Sequence, residues 1–257
     1  MICRRDIALG GLLSIGWLAV PCGCPAHGFS AGSRFSCDLA EDDAIGVQLR
    51  KEMQEPLTRG GGPPKFVQSG DRDLDYAMAQ TLSMLTDTWN VLPGFAYFDE
   101  TGPPNAFASS APWLARADGS VIFGRNLLAR LLKAREQPDV GIAAVVAHEY
   151  GHITQYKYNL KRPLLNGQDT VKRLELHADF LAGYFAGRRK LTRPDFPAAV
   201  FATTQYAAGD FRTDRASHHG TPDERANAIV KGFETAFRDK RSPSEALQIC
   251  VQYAQTL

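Results

Sequence analysis

Three residues close together in the sequence, His148, Glu149 and His152, form an HExxH motif within the segment VVAHEYGHITQ. On an α-helix, side chains four residues apart lie on one face, so both imidazoles can bind a single metal ion. Glu149 is turned about 100° away from His148 and can act on a water molecule at the metal. The motif therefore indicates zinc-dependent hydrolysis. The alternative is a pair of core histidines hydrogen-bonded to carbonyl groups.

The helix that carries this motif is predicted to begin at Pro138 and Asp139. An apolar run, residues 142–147, leads into His148, and because the run is apolar on nearly all sides we expect a central, buried helix. Gly151 costs about 1 kcal/mol relative to alanine inside a helix. Close packing or metal access should therefore require the missing side chain. The extended metzincin motif is absent, since Gln155 and Tyr158 replace its glycine and histidine.

A second helix is predicted over VKRLELHADFLAGYFAGRR, with Asp169 or Thr170 as its N-cap. Glu175 lies on an otherwise apolar face of this helix, where a carboxylate needs a partner. The small residues Ala178 and Ala182 would allow this face to approach the HEYGH helix closely. Glu175 would then be the third zinc ligand.

Two further residues of this helix have different predicted places. Asp179 lies one turn after Glu175 and is predicted to hold a ligand imidazole in its tautomer. His177 points elsewhere and is interpreted as a surface histidine or a support of the site, not a metal ligand.

The segment ASHHGTPDERANAIVKGF contains the start of another helix, with a capping box at Thr221 and Glu224 and proline at its first position. His219 lies on the loop just before this start, which suits the presentation of a polar group. The alternative is that His218 and His219 belong to a solvated loop. Arg225 is either a buried partner of an acidic group or a surface charge.

Short strands are predicted over residues 95–98, 105–109 and 120–124. An edge strand beside a peptidase metal can bind an extended substrate by adding it to the sheet. The second and third strands are the candidates, and Asn105 and Ala106 are the predicted substrate-binding residues. The alternative is an ordinary hairpin. With the predicted helices, these strands indicate an α+β domain that is mainly helical, with a small antiparallel edge sheet beside the HExxH helix.

The segments HEYGH, ELHAD and HHGTPDER together resemble gluzincin-type metallopeptidases, in particular the bacterial neutral zinc metallopeptidases. The NAFA segment and ELHAD also resemble HtpX-type and CAAX-prenyl-protease-type peptidases, and the likeness covers roughly residues 105–233. It implies a zincin-like fold, one zinc held by His148, His152 and Glu175, and Glu149 as the catalytic base. His219 falls where the HtpX-type pattern has a histidine before proline, which implies a stabiliser of the transition state. Gly220 replaces that proline.

The N-terminal residues 1–28 read as an export signal. Arg4 and Arg5 precede an apolar run, residues 7–20, that is too short for a comfortable membrane span. We expect an exported protein, periplasmic or extracellular, and Cys22 and Cys24 leave a lipid anchor and peripheral membrane association open. Residues 29–257 are then one domain, with a helical part at 29–92 and the catalytic core at 93–257.

Cys37 and Cys250 are the only cysteines that would remain after removal of this segment, and an exported chain favours a disulfide between them. The alternative is two free buried thiols. The formal net charge of +1 and the mixed signs along the chain argue against nucleic acid as a partner.

Together these features predict a zinc endopeptidase that acts on exported or misfolded proteins. The rival hypothesis is a non-catalytic zinc protein that binds or chaperones such proteins. An intact Glu149 and only three protein ligands favour the enzyme, because purely structural zinc sites usually close with four.

Overall fold

The computed structural model describes residues 68–100, 102–114, 116–134 and 137–257. The export signal, residues 29–67 of the predicted helical part and Cys37 lie outside these ranges. The helices in the described ranges are α1 (Arg72–Trp89), α2 (Arg125–Leu132), α3 (Pro138–Lys157), α4 (Lys161–Leu165), α5 (Lys172–Thr192), α6 (Ala199–Tyr206), α7 (Pro222–Phe237) and α8 (Pro243–Gln255). None of them is long and apolar enough to cross a membrane.

Three strands form the sheet of the described region: β1 (Gly94–Phe98), β2 (Ala106–Ser109) and β3 (Ser120–Gly124). Their order is β1-β3-β2, with β3 parallel to β1 and antiparallel to β2. The α+β class is therefore correct, but the prediction of an antiparallel sheet is wrong for one of the two pairings. Strand β3 is central, and its residues Val121, Ile122 and Phe123 are all fully buried. A strand that is apolar on both faces must be covered on both faces, which favours the central position.

The sheet order also separates the two candidates for an edge strand. Since β3 is hydrogen-bonded on both sides, it cannot accept an extra strand, whereas β2 lies at the edge. The hydroxyl of Tyr156, on α3, lies 3.5 Å from the carbonyl oxygen of Ala108 on β2 and donates to it. This contact ties the edge strand to the helix that carries the HExxH motif.

Helix α3 begins at Pro138, as predicted, and is buried along most of its length. Its contact with α5 is close because Gly151 faces Ala178: a Cβ atom at Gly151 would lie 2.7 Å from the Cα atom of Ala178. Both sequence-based expectations, that Gly151 serves close packing and that Ala178 permits the approach, are confirmed by this contact.

Helix α5 is enclosed on its other side by α7. A Cβ atom at Gly183 would overlap the Ile229 carbonyl, and one at Gly232 would overlap the Phe180 carbonyl, so the two backbones touch. The capping box at Thr221 and Glu224 fixes the start of α7, because each residue's side chain accepts from the other's backbone N–H. Arg225 is thereby held beside α5.

Some predicted boundaries are wrong. Val171, without a side-chain cap, precedes α5, and Thr170 Oγ1 only accepts from the Lys172 N–H at 3.4 Å, so neither Asp169 nor Thr170 is the N-cap. The short helix α4 precedes α5, and its Leu164 is fully buried beside Leu174.

Cys250 is a free thiol in the structure, fully buried, and its Sγ donates to the His177 carbonyl at 3.4 Å. Burial raises the pKa of this thiol well above its usual range, which makes it unreactive at neutral pH. This state matches the alternative of a buried thiol. Its pairing with Cys37, which lies outside the described residues, stays a prediction.

The α3–α5 contact gives a stability test with a matched control on the same helix. Gly151→Ala should lower the free energy of unfolding by about 1–3 kcal/mol, because the added methyl group overpacks against Ala178. Gly141→Ala should raise it by about 0.4–1 kcal/mol, since its Cβ atom would lie 3.6 Å from Thr204 Oγ1, an ordinary contact. Urea-induced unfolding in the presence of a chelator measures both. Equal effects of the two substitutions would contradict the packing described here.

Candidate metal centre

The side chains of His148, His152 and Glu175 meet between α3 and α5, and each is at most 2 % exposed. The two Nε2 atoms lie 3.2 Å apart. The Glu175 carboxylate lies 3.4 Å from the Nε2 atom of His148 and 3.5 Å from that of His152. The three predicted ligands therefore form one buried group that could hold a metal ion.

The Nδ1 partners determine which ring nitrogens face this group. His148 Nδ1 lies 2.7 Å from Asp179 Oδ1, and His152 Nδ1 lies 3.0 Å from Gln155 Oε1. The Gln155 amide is oriented by its other end, because its Nε2 donates to the Leu174 carbonyl at 2.7 Å. Both Nδ1 atoms thus carry a proton and donate it, so each Nε2 atom, once deprotonated, directs its lone pair toward Glu175.

Three acceptors that converge in a buried space require a positive charge between them. Glu175 Oε2 is buried and has no hydrogen-bond partner within the described residues. Two ligands of a tetrahedral zinc ion, each about 2.0–2.1 Å from it, are separated by roughly 3.3–3.4 Å, which is close to the three distances observed. The donor set and its spacing therefore fit a small tetrahedral cation.

Asp179 contacts the candidate ligand His148 at its Nδ1 atom, and Arg225 contacts Asp179. Arg225 is 1 % exposed and donates to both carboxylate oxygens of Asp179, at 2.7 and 3.0 Å. It also donates to Gln205 Oε1 at 2.9 Å and to the Ala208 carbonyl at 3.3 Å. Asp179 thus has the predicted position, and Arg225 is a buried partner of an acidic group and not a surface charge.

The charges of the site shift several pKa values. Burial would raise the pKa of Glu175, but the nearby imidazoles of His219, His152 and His148 hold it well below its usual range. Burial would likewise raise the pKa of Asp179, but Arg225 and His148 lower it. Burial alone would lower the pKa of His148, yet Asp179 and Glu175 raise it to about 9. Without a metal, the required positive charge is a proton on His148.

His219 lies on the loop before α7 and is 7 % exposed, so the alternative of a solvated loop is wrong. Asp210 organises this loop: its carboxylate accepts from the His219 backbone N–H at 3.2 Å and from His218 Nδ1 at 2.9 Å. His219 contributes to the lowered pKa of Glu175, although it does not belong to the three-ligand group. Gly220 has φ +99°, a conformation that the proline of the HtpX-type pattern cannot adopt.

Sequence reasoning missed two residues around the site, Gln155 and Asp210, and left the place of a third, His177, open between the surface and a support of the site. Gln155 lies one turn after His152, a spacing that could have indicated its contact, whereas no spacing signal pointed to Asp210 on its loop. His177 is fully buried and not on the surface, with its Nδ1 atom 3.2 Å from Gln155 Nε2. Burial and the charge of His152 lower the pKa of His177 to about 3, so this imidazole is neutral.

Glu149 and the two predicted substrate-binding residues line one cavity. Its wall includes Asn105 and Ala106 at the start of β2, together with His148 and Glu149. The side chain of Glu149 is 1 % exposed and lies outside the three-ligand group. The structure thus brings Asn105, Ala106 and Glu149 together next to a candidate metal ligand.

Comparisons with models of known protein families, with curated proteins and with solved structures found no match for this chain.

Asp179→Asn tests the support of His148. The amide removes the negative charge that accepts from His148 and pairs with Arg225, so zinc affinity should fall by about 10–100-fold. Competition with a chromogenic chelator measures this affinity. Asp195→Asn, at an exposed carboxylate whose nearest ion-pair partner is Arg193 at 3.9 Å, is the control and should leave it unchanged. Wild-type affinity in Asp179→Asn would contradict the arrangement.

The raised pKa of His148 gives a pH dependence. In the metal-free protein His148 keeps a proton until the pH approaches its pKa of about 9, and metal binding must displace that proton. Zinc affinity should therefore rise by about tenfold per pH unit from pH 6.5 and level off only near pH 9. An unperturbed histidine would level off near its pKa of about 6.5. If the zinc affinity measured by chelator competition levels off below pH 7.5, the raised pKa assigned to His148 is wrong.

Proposed function

We propose that this protein is a zinc-dependent endopeptidase that hydrolyses peptide bonds of exported or misfolded proteins. The observation that carries the proposal is the convergence of His148 Nε2, His152 Nε2 and the Glu175 carboxylate, with Glu149 beside them in the wall of a cavity. Three protein ligands are typical of a catalytic zinc site, because a fourth position stays open. The resemblance of HEYGH, ELHAD and HHGTPDER to gluzincin-type metallopeptidases supports the same activity. The export-signal pattern at residues 1–28 supports the substrate class.

Each component of the site has a part in the proposed hydrolysis. When bound, zinc supplies Lewis-acid chemistry: it polarises a carbonyl group and makes water acidic near neutral pH. Glu149 accepts the proton of the attacking water and passes it to the leaving amine. His219 donates to the oxygen that becomes negative in the transition state, on a loop that Asp210 holds in place. Asn105 and Ala106 contact the substrate backbone at the edge strand β2.

The residues that hold the candidate ligands in position suit an enzyme that turns over repeatedly. Asp179 fixes the ring orientation of His148, and Gln155 fixes that of His152, so neither imidazole must reorganise when substrate enters. Arg225 balances the buried charge of Asp179 and is itself held by Gln205. Preorganised groups of this kind are what electrostatic stabilisation of a transition state requires.

Glu149→Gln and Glu175→Gln separate the two functions of the carboxylates. Glu149→Gln should keep both zinc and fold, because Glu149 is not a ligand, while hydrolysis should fall at least about 10²–10⁴-fold with the loss of the general base. Glu175→Gln should lower zinc content as well as activity. The measurement is zinc content beside the cleavage rate of an unfolded protein substrate.

Two outcomes of this experiment count against the proposal. Cleavage by Glu149→Gln at the wild-type rate would show that the assigned base is wrong. A wild-type protein that holds zinc and cleaves nothing across a broad peptide library would favour the non-catalytic binding protein.

A further inference from the structure

A cavity of about 140 Å³ adjoins the candidate metal centre. Its wall includes His148 and Glu149, so it opens beside the ligands and the proposed base. A larger groove of about 660 Å³ runs between α1 and β1, but neither a ligand nor Glu149 contributes to it. The smaller cavity is therefore the one that can receive a substrate side chain close to the bond that is cleaved.

Most of the surface that lines this cavity is apolar, and the apolar residues that contribute to it are Ala106, Leu127, Leu131, Val145, Ala207 and Ala208. Two arginines line the cavity: Arg130 is exposed, and Arg225 is buried and already donates to Asp179, Gln205 and the Ala208 carbonyl. A charged substrate side chain that entered the buried part of the cavity would thus lose its hydration beside an arginine that is already paired, which is costly. An apolar side chain would be favoured by the same wall.

The volume limits which apolar side chains fit. An apolar cavity of about 150 Å³ holds one benzene molecule, so about 140 Å³ holds one branched aliphatic side chain or one six-membered ring. The indole of tryptophan is larger than this. Alanine would leave most of the cavity unfilled, and a missing methylene group alone costs about 10–200-fold in discrimination.

The position of the edge strand β2 indicates how a substrate side chain would enter the cavity. Ala106 is the first residue of β2 and lines the cavity, and β2 is an edge of the sheet. In a segment added to such an edge, alternate side chains point to the same face. Every second residue of an extended substrate would thus face the α2–α3 side, where Leu131 and Val145 lie.

We infer that this cavity is the primary specificity pocket of the proposed peptidase and selects leucine, isoleucine, methionine or phenylalanine next to the cleaved bond. The inference rests on the proposed function and names its substrate class. Extended chains with exposed apolar residues, as unfolded proteins have, are then the substrates, whereas chains that offer only charged residues are not.

The pocket is tested by binding as well as by cleavage. Cleavage of an unfolded protein by the wild type, followed by mass spectrometry of the new termini, gives the residues that flank the cleaved bonds. The binding of fluorescent peptides to the zinc-loaded Glu149→Gln variant is then measured. The peptides differ at the position where the cleavage data show an enriched residue. If the wild type cleaves nothing, they differ at each position in turn. Leucine and phenylalanine peptides should bind at least about tenfold more tightly than the alanine peptide, and aspartate and tryptophan peptides most weakly.

Two neighbouring leucines of α2 provide a matched pair of variants in the same background. Leu131 lines the cavity, whereas Leu132 does not line it and is 46 % exposed. Leu131→Phe fills the pocket and should abolish the preference for leucine over alanine, and Leu132→Phe should leave it unchanged. Leu131→Ala enlarges the pocket and should improve binding of the tryptophan peptide. This variant tests the pocket if Leu131→Phe does not fold.

The results separate this inference from the proposed function. Equal binding of all peptides, or an unchanged preference in both Leu131 variants, overturns the pocket even if the wild type cleaves. Ranked binding that the Leu131 variants alter supports the pocket, and it does so even if the wild type cleaves nothing, which would overturn the endopeptidase alone.

Discussion

The direct contact of α3 with α5 is the constraint on which the site depends. Gly151 lies between the two histidines of the HExxH motif, and Ala178 lies between Glu175 and Asp179. Because these two small residues touch, the carboxylates on either side of Ala178 are brought to the imidazoles on either side of Gly151. One of them reaches Nε2 atoms and the other reaches a Nδ1 atom. A larger residue at either position would separate all four side chains together.

Electrostatic balance within the buried centre explains the rest of its composition. Glu175 and Asp179 have lowered pKa values and stay ionised, while Arg225 carries one buried positive charge. The pKa of His148 rises despite burial because Asp179 and Glu175 lie beside its imidazole. A metal ion bound at this group would have to displace the proton of His148. His177 is also fully buried beside the site but stays neutral, since it faces no carboxylate and instead accepts from the Gln155 amide.

Features set by local periodicity could be predicted from the sequence, while those set by long-range packing could not. The grouping of His148, His152, Glu175 and Asp179 followed from helical spacing and from the small residues that permit a close approach. The parallel pairing of β1 with β3 depends on which strand needs burial on both faces, a property of the whole core. Asp210 gathers His218 and His219 on a loop without periodicity, so nothing in the sequence indicated that this pair is buried. Gln155 was noted only for the glycine it replaces, although one helical turn separates it from His152.

The three candidate ligands come from two helices, and a long stretch of chain connects position 152 with position 175. An ion held by all three would act as a cross-link, because it would close that stretch into a loop and reduce the conformational entropy of the unfolded chain. Gln155 adds a second connection at the same level, from His152 to the Leu174 carbonyl in the first turn of α5. The free energy of unfolding would then depend on the concentration of free metal ion, rising by about 1.4 kcal/mol for each tenfold increase above the dissociation constant. The availability of such a metal ion would thus govern how long the folded chain resists proteolysis, independently of any chemistry at the site.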